Sequence, residues 1–330
     1  MKALVTGAAG MIGTAFIKNL LDNSVDVMGV DNFFRGKASN IDLLKSHASE
    51  TRSKFEFYEC DLSKNIENNF FPTPDIVVHL ADVVAGIKYV FNNEFELLNQ
   101  NLLIDANVTS YVNAKKIPRY IYVGTACSFP KHLQNGINSK LFEESKFPAA
   151  PESTYGWSKL MGEILTEQLA KNKITETCSI ILHNVYGFYC DFDLKRSQVI
   201  PSLIKKAKNL KKGEILDVWG SGEQSRSFID TRDVAEFLSS ALLSTKSLKI
   251  YDKAQIGDPQ ATSIRRISEI IIENFEEKKL NLRFNKNEPS GDVGRIPDLR
   301  KAKSLGFIQK IKIEDGIKDL INWALETNEI

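Results

Sequence analysis

The stretch "KALVTGAAGMIGTAFIKNL", residues 2–20, decides the fold. Residues 2–8 form a short apolar run of the kind a buried strand shows. Residues 11–23 then space their apolar side chains as a helix does. Between them Gly7, Gly10 and Gly13 stand three apart. A tight turn whose backbone must approach a ligand leaves no room for a side chain. The N–H groups that open a helix, together with its dipole, favour a phosphate pair. Strand, glycine turn and helix in this order predict a dinucleotide site on Gly7, Gly10, Met11, Ile12 and Gly13.

The alternation continues outward. "VDVMGVD" (25–31), "DIVVHLAD" (75–82), "YIYVGTA" (120–126) and "CSIILHNVYG" (178–187) are Val- and Ile-rich runs separated by helical stretches. Such runs predict a parallel sheet covered on both faces, an α/β fold of the Rossmann-like, doubly wound kind. From about residue 187 the pattern weakens, and Gly, Pro and charge become denser. A nucleotide-binding domain over 1–186 is expected, with the chain returning to it at about 229–258. A smaller C-terminal lobe, 187–228 and 259–330, is expected to bind substrate.

Asp31 ends the second strand, beside Asn32. A carboxylate there hydrogen-bonds ribose hydroxyls and repels a 2′-phosphate, which favours NAD over NADP, although Arg35 follows closely. Asp61 and Leu62 in "CDLS" follow a third candidate strand; Asp61 is read either as an adenine contact or as a helix cap. Leu80 and Ala81 in "HLAD" complete the expected cofactor wall.

Bulk properties exclude several classes. A net charge of +1 gives no general attraction to nucleic acid or to an anionic membrane. The basic run "KKAKNLKK" (205–212) is read as a solvated helix face. No apolar run reaches the roughly 18 residues of a membrane span. The N-terminus lacks a signal peptide's long apolar stretch. The cysteines at 60, 127, 178 and 190 have no zinc-ligand spacing, so no metal site, reduced thiols and a cytoplasmic location are expected.

"STYGWSKLMGEIL" places Tyr155 and Lys159 four apart, on one helix face. A nearby ammonium stabilises a phenolate, so the tyrosine can act as a base. Tyr111 and Lys115 repeat the spacing and are read as a surface coincidence. Upstream, "IYVGTACSFP" (121–130) ends a strand and presents Thr125 and Cys127, which a helix docked beside the strand end would bring to Tyr155.

These motifs resemble the extended short-chain dehydrogenase/reductases of the nucleotide-sugar epimerase/dehydratase family. "HNVYG" (183–187), "SGEQSRSFIDTRDVA" (221–235) and "GDVGRIPDLRKAKSLGF" (291–307) extend the likeness over nearly the whole chain. The resemblance implies a nucleotide-diphosphate sugar substrate held by Asn184, Arg226 and Arg295. It also implies a homodimer formed through the helix at roughly 92–115 and the Tyr155 helix. Thr125 and Tyr155 would bind the sugar's 4-hydroxyl while bound NAD oxidises C4. Dehydratases of the family carry Asp-Glu after the threonine; here Ala126 and Cys127 stand there, which disfavours dehydration. "TACSFP" and "VVAGIKYVFNN" (83–93) resemble the subgroup of GDP-mannose 3,5-epimerase and GDP-fucose synthase. In that subgroup a cysteine moves a proton at C3 or C5, which implies that role for Cys127.

One departure stands out. The subgroup's second acid/base falls on Gln198 or on Val199, which lines the substrate side, and neither can shuttle a proton. Lys195 or Arg196 could reach in, while His183 is expected to pack beside its strand. The expected function is a GDP-sugar epimerase working through a 4-keto intermediate. The alternatives are a C4 dehydrogenase or C4-epimerase, with Cys127 only lining the pocket, or a redox-dead NAD-binding sensor.

Overall fold

The computed structural model describes residues 1–64, 71–84, 86–243, 251–288 and 293–330. Ala85 of the 83–93 motif, residues 244–250 of the returning segment, and Gly291 and Asp292 of the last motif lie outside them.

A seven-stranded parallel sheet forms the centre of the fold: β1 (Lys2–Thr6), β2 (Asp26–Asp31), β3 (Phe55–Glu59), β4 (Ile76–His79), β5 (Arg119–Thr125), β6 (Glu176–Leu182) and β7 (Tyr251–Ile256). Their spatial order is β7-β6-β5-β4-β1-β2-β3. The order reverses between β1 and β4, the place where open α/β sheets leave a crevice at their strand ends. Central strands are buried on both faces, which is why they read as continuous apolar runs. Strand β3, at the edge, alternates Phe, Glu and Tyr and is only partly buried.

Helix α1 (Met11–Asp22) and helix α2 (Ala38–Glu50) place Phe16, Ile17, Ile41 and Leu44 against one face of the sheet. On the other face, α3 (Glu94–Lys115) buries Leu97, Ile104 and Val108, and α4 (Thr154–Ala170) packs beside it. Tyr111 of α3 is a core residue, edge-on to Phe71 at 5.8 Å, and burial pushes its phenol up to about 12. The Tyr111/Lys115 spacing is therefore no surface coincidence; the tyrosine fills the interior.

The run read as one strand over 178–187 is two. It leaves the sheet at His183, and Asn184–Tyr186 pairs instead with Phe228–Asp230. This jog turns the chain toward a second apolar cluster, built by α5 (Val199–Asn209), α6 (Ile264–Glu273) and α7 (Ile313–Glu326) with the paired strands Ile215–Trp219 and Asn281–Asn285. Within the C-terminal lobe expected over 187–228 and 259–330, part of the last segment contacts the sheet. Leu299, Ala302 and Phe307 pack into the sheet's core, with Phe307 edge-on to Phe237 at 5.5 Å.

Candidate active site

A cleft of about 910 Å³ runs from the glycine turn, past the ends of β4 and β5, to the second cluster. At one end Gly7 adopts φ +72°, and a Cβ on Gly13 would sit 2.1 Å from the Gly7 carbonyl oxygen. No side chain caps the start of α1, so its leading N–H groups remain available to an anion. Met11 and Ile12 line the cleft beside them. Asp31 braces this turn: Ala9 N–H donates to its Oδ2 at 3.0 Å and Phe33 N–H to its Oδ1 at 2.8 Å. Burial pushes the Asp31 carboxyl up, and these backbone donors pull it back. Arg35, the residue that could have met a 2′-phosphate, reaches away and donates to the Val84 carbonyl at 2.8 Å. The cradle thus fits a dinucleotide.

Asn32 lines the cleft and accepts the Phe34 N–H. Leu62 also lines it, but Asp61 turns onto Ser63, accepting its N–H and its hydroxyl. Leu80 and Ala81 both donate their N–H to Thr6 Oγ1 at 3.1 Å, fixing the β4 end against the glycine turn.

Farther along, Thr125 opens a short turn over Ala126–Ser128, its Oγ1 accepting the Cys127 N–H at 3.3 Å. Helix α4 starts directly above, and a Cβ on Gly156 would lie 2.2 Å from the Cys127 carbonyl oxygen. Only a glycine lets the helix approach so closely. Thr125, Cys127 and Tyr155 consequently line the same stretch of cleft. Lys159, one turn along α4, is buried over the Tyr122 ring at 4.6 Å. Its partner is a residue that sequence reasoning missed. The Asp82 Oδ2 lies 3.4 Å from Lys159 Nζ and accepts the Tyr155 hydroxyl at 3.1 Å. Burial, then Asp82 and Cys127, push the Tyr155 phenol well above its ordinary value, with Arg35 acting the other way. The only sequence sign of this was an aspartate inside "HLAD".

The Cys127 sulfur accepts from Arg295 Nη2 at 3.3 Å, and Arg295 Nη1 donates to Gln134 Oε1. Arg295, expected at the substrate's phosphates or nucleoside, lays its guanidinium against the thiol. By contrast Cys178 and Cys190 are buried thiols pushed up to about 12, unsuited to proton transfer. Asn184 lines the cleft, and its Oδ1 finds no hydrogen-bond partner among the described residues. Arg226 and Val199, the first residue of α5, line the far end. Of the groups that could replace the missing acid/base, Arg196 is tied to Asp191, Asp193 and the Phe34 carbonyl. His183 is buried against Gln255, and burial together with Arg295 lowers its pKa to about 3, so it stays neutral. Lys195 is exposed at the rim.

Fold and cleft together are those of a dinucleotide-dependent enzyme. Residues 3–257 match the NAD-dependent epimerase/dehydratase family, and the chain belongs to it. Over 333 residues it is 26% identical to GDP-mannose 3,5-epimerase 1 of Oryza sativa subsp. indica, covering 100% of this chain and 83% of the rice protein. It is 24% identical to GDP-L-colitose synthase of Yersinia pseudotuberculosis, covering 98% of each. Among solved structures, UDP-glucuronic acid 4-epimerase from Bacillus cereus, in complex with UDP-glucuronic acid and NAD, superposes with a TM-score of 0.83 at 24% identity over 99% of this chain and 100% of that one. The cofactor is NAD. Among the described residues no helix is long and apolar enough to cross a membrane.

Proposed function

We propose that the protein is a nucleotide-sugar epimerase, acting on a GDP-sugar through a transient 4-keto intermediate. The observation that carries this is Cys127: a thiol in the cleft beside Tyr155, with a buried guanidinium donating to its sulfur. NAD, bound along Gly7, Gly10, Gly13 and Asp31, supplies reversible oxidation at the sugar's C4. Thr125 and Tyr155 orient the 4-hydroxyl, and Tyr155 takes and returns its proton. Lys159 holds Tyr155 in this role. Cys127 removes and replaces the proton at C3 or C5, which a neighbouring ketone makes acidic. Arg295, seated on the thiol, serves this end of the sugar. Asn184, Arg226 and the N-terminus of α5 at Val199 hold the diphosphate and nucleoside.

GDP as the nucleotide rests on the names of the relatives in rice and Yersinia. A second reading, C4 epimerisation or oxidation with Cys127 a bystander, is favoured by one observation: Gln198, Val199 and the neutral His183 leave no obvious partner base opposite the thiol. The protein also works in the cytoplasm as a homodimer in this reading. Phe95 and Leu103 on α3 and Trp157 and Met161 on α4 are exposed apolar side chains on adjacent helices, which supports a helical pairing.

The test is NMR of the purified protein in D2O with GDP-mannose and a panel of nucleotide sugars. Deuterium entering C3 or C5, and lost in Cys127→Ser, is the expected result. Inversion or oxidation at C4 without deuterium at either carbon would replace this reading with the second.

A further inference from the structure

The loop that follows β4 is clamped on both sides of one carboxylate. Thr6 Oγ1 accepts the N–H groups of Leu80 and Ala81. The buried Asn101 side chain accepts the Val83 N–H at 2.6 Å and donates back to the Val83 carbonyl at 3.1 Å. Arg35 donates to the carbonyl of Val84. Asp82 sits between these anchors, and its side chain is held at the cleft with only 14% exposure. Tyr155 and Lys159 of α4 meet it directly, and Arg35 from the loop after β2 and Cys127 from the turn after β5 act on the same Tyr155 hydroxyl. So much anchoring for one loop aspartate calls for a use.

The proton of the Tyr155 hydroxyl points at Asp82 Oδ2. A tyrosine can accept a substrate proton in two ways. It can ionise beforehand, or it can pass its own proton on as the new one arrives. The first route would place a phenolate against a carboxylate in a buried site, and like charges so placed disfavour one another. The second needs an acceptor within hydrogen-bond distance, and Asp82 is one.

We propose that Asp82 is a positioning residue and the proton acceptor behind Tyr155, so that the base for oxidation at C4 is the pair and not the tyrosine alone. This rests on the C4 oxidation read above. In the step, the sugar's O–H bond breaks and its proton forms a new O–H bond on Tyr155. The original Tyr155 O–H bond breaks toward Asp82 Oδ2, which becomes a carboxylic acid. The carbon-bound hydrogen leaves with its electron pair to the oxidant, bound NAD, and the carbon becomes a ketone carbon. Lys159 balances the carboxylate before the transfer and the field of the site during it. The return step runs the relay backward, so the same proton is available to the sugar oxygen.

The experiment has two arms on the NAD-loaded protein. The first needs no sugar: the phenolate absorbance of Tyr155 is followed against pH as the difference between each protein and its Tyr155→Phe counterpart. Asp82→Asn is expected to bring that phenolate on at lower pH than in the wild type, and an unmoved titration would overturn the proposal. The second follows reduction of the bound NAD by GDP-mannose and by UDP-glucose across pH. Asp82→Asn is expected to be about 100-fold slower at neutral pH and to gain speed as pH rises, because its tyrosine must ionise first. Asp82→Glu is expected to recover most of the rate. An Asp82→Asn protein as fast as the wild type, or slowed equally at every pH, would overturn the proposal. A wild type that reduces its NAD with neither sugar counts against the functional reading, while an unmoved phenolate titration would still overturn the role of Asp82.

Discussion

Helix α4 carries two ion pairs one turn apart, and they have opposite characters. Glu163 meets Lys146 at 2.6 Å, with side-chain exposures of 0% and 1%. The Glu163 oxygens are both engaged, Oε1 by the Ser128 hydroxyl at 2.7 Å and Oε2 by Lys146. Lys146 also lies 3.3 Å from Glu143 and over the Phe129 ring at 4.2 Å. The other pair, Lys159 with Asp82, opens onto the cleft, and Asp82 Oδ2 takes both Lys159 and Tyr155. A sealed and fully bonded pair has nowhere to send a proton; it fixes the turn bearing Cys127 to the helix bearing Tyr155. The half-open pair has a proton on one side and substrate space on the other. The same residue types are therefore sealed into the architecture in one place and open to the cleft in the other, and access is what separates them.

The largest expected effect tests the open side. Tyr155→Phe should cut turnover by about 1,000-fold, from the loss of acid–base help, while costing only about 1 kcal/mol of stability. Comparable turnover in the variant would show that the open pair is not chemical. On the sealed side, Glu163→Ala should destabilise the fold by about 3–5 kcal/mol, because Lys146 is left buried with its principal partner gone. Urea unfolding measures this, and a change under about 1 kcal/mol would remove the contrast.

A third prediction sharpens how firmly the sealed side excludes charge. His183 belongs to it: its Nε2 pairs with Gln255, which donates to Glu143, the neighbour of Lys146. Its folded pKa of about 3 lies below the ordinary 6.5. The unfolded chain thus takes up a proton in acid that the folded chain refuses. This contribution to stability is complete above about pH 6.5 and falls by roughly 1.4 kcal/mol per unit as pH drops toward 3, or about 2 kcal/mol at pH 5. His183→Gln should flatten that part of the stability–pH curve; an unchanged slope would count against a neutral His183. The smallest effect is at the cofactor end. Asp31→Ser should weaken NAD by about tenfold and narrow its advantage over NADP, measured by calorimetry of both nucleotides.

Much of the cofactor end was legible in the sequence because its determinants are local. Gly7, Gly10 and Gly13 act within one turn, Asp31 terminates one strand, and Tyr155 and Lys159 share a face by helical period alone. The substrate end was less legible because its contacts join distant positions. Asp82 and Tyr155 are 73 residues apart, and Cys127 and Arg295 are 168 apart. No spacing rule links such residues. Tyr111 shows the same limit from the other side: its spacing to Lys115 equals that of Tyr155 to Lys159, yet one tyrosine faces the core and the other the cleft.

By itself the sequence determined the parallel sheet, the glycine turn at the head of α1 and the helix that presents Tyr155, since strand hydrophobicity, glycine sterics and helical period operate over a few residues. Only the tertiary structure decided that Asp82 stands behind that tyrosine, that Arg295 turns onto Cys127 and that His183 is sealed in neutral form. Those outcomes depend on which strand ends and loops meet in space, and on how much water the packing leaves between them.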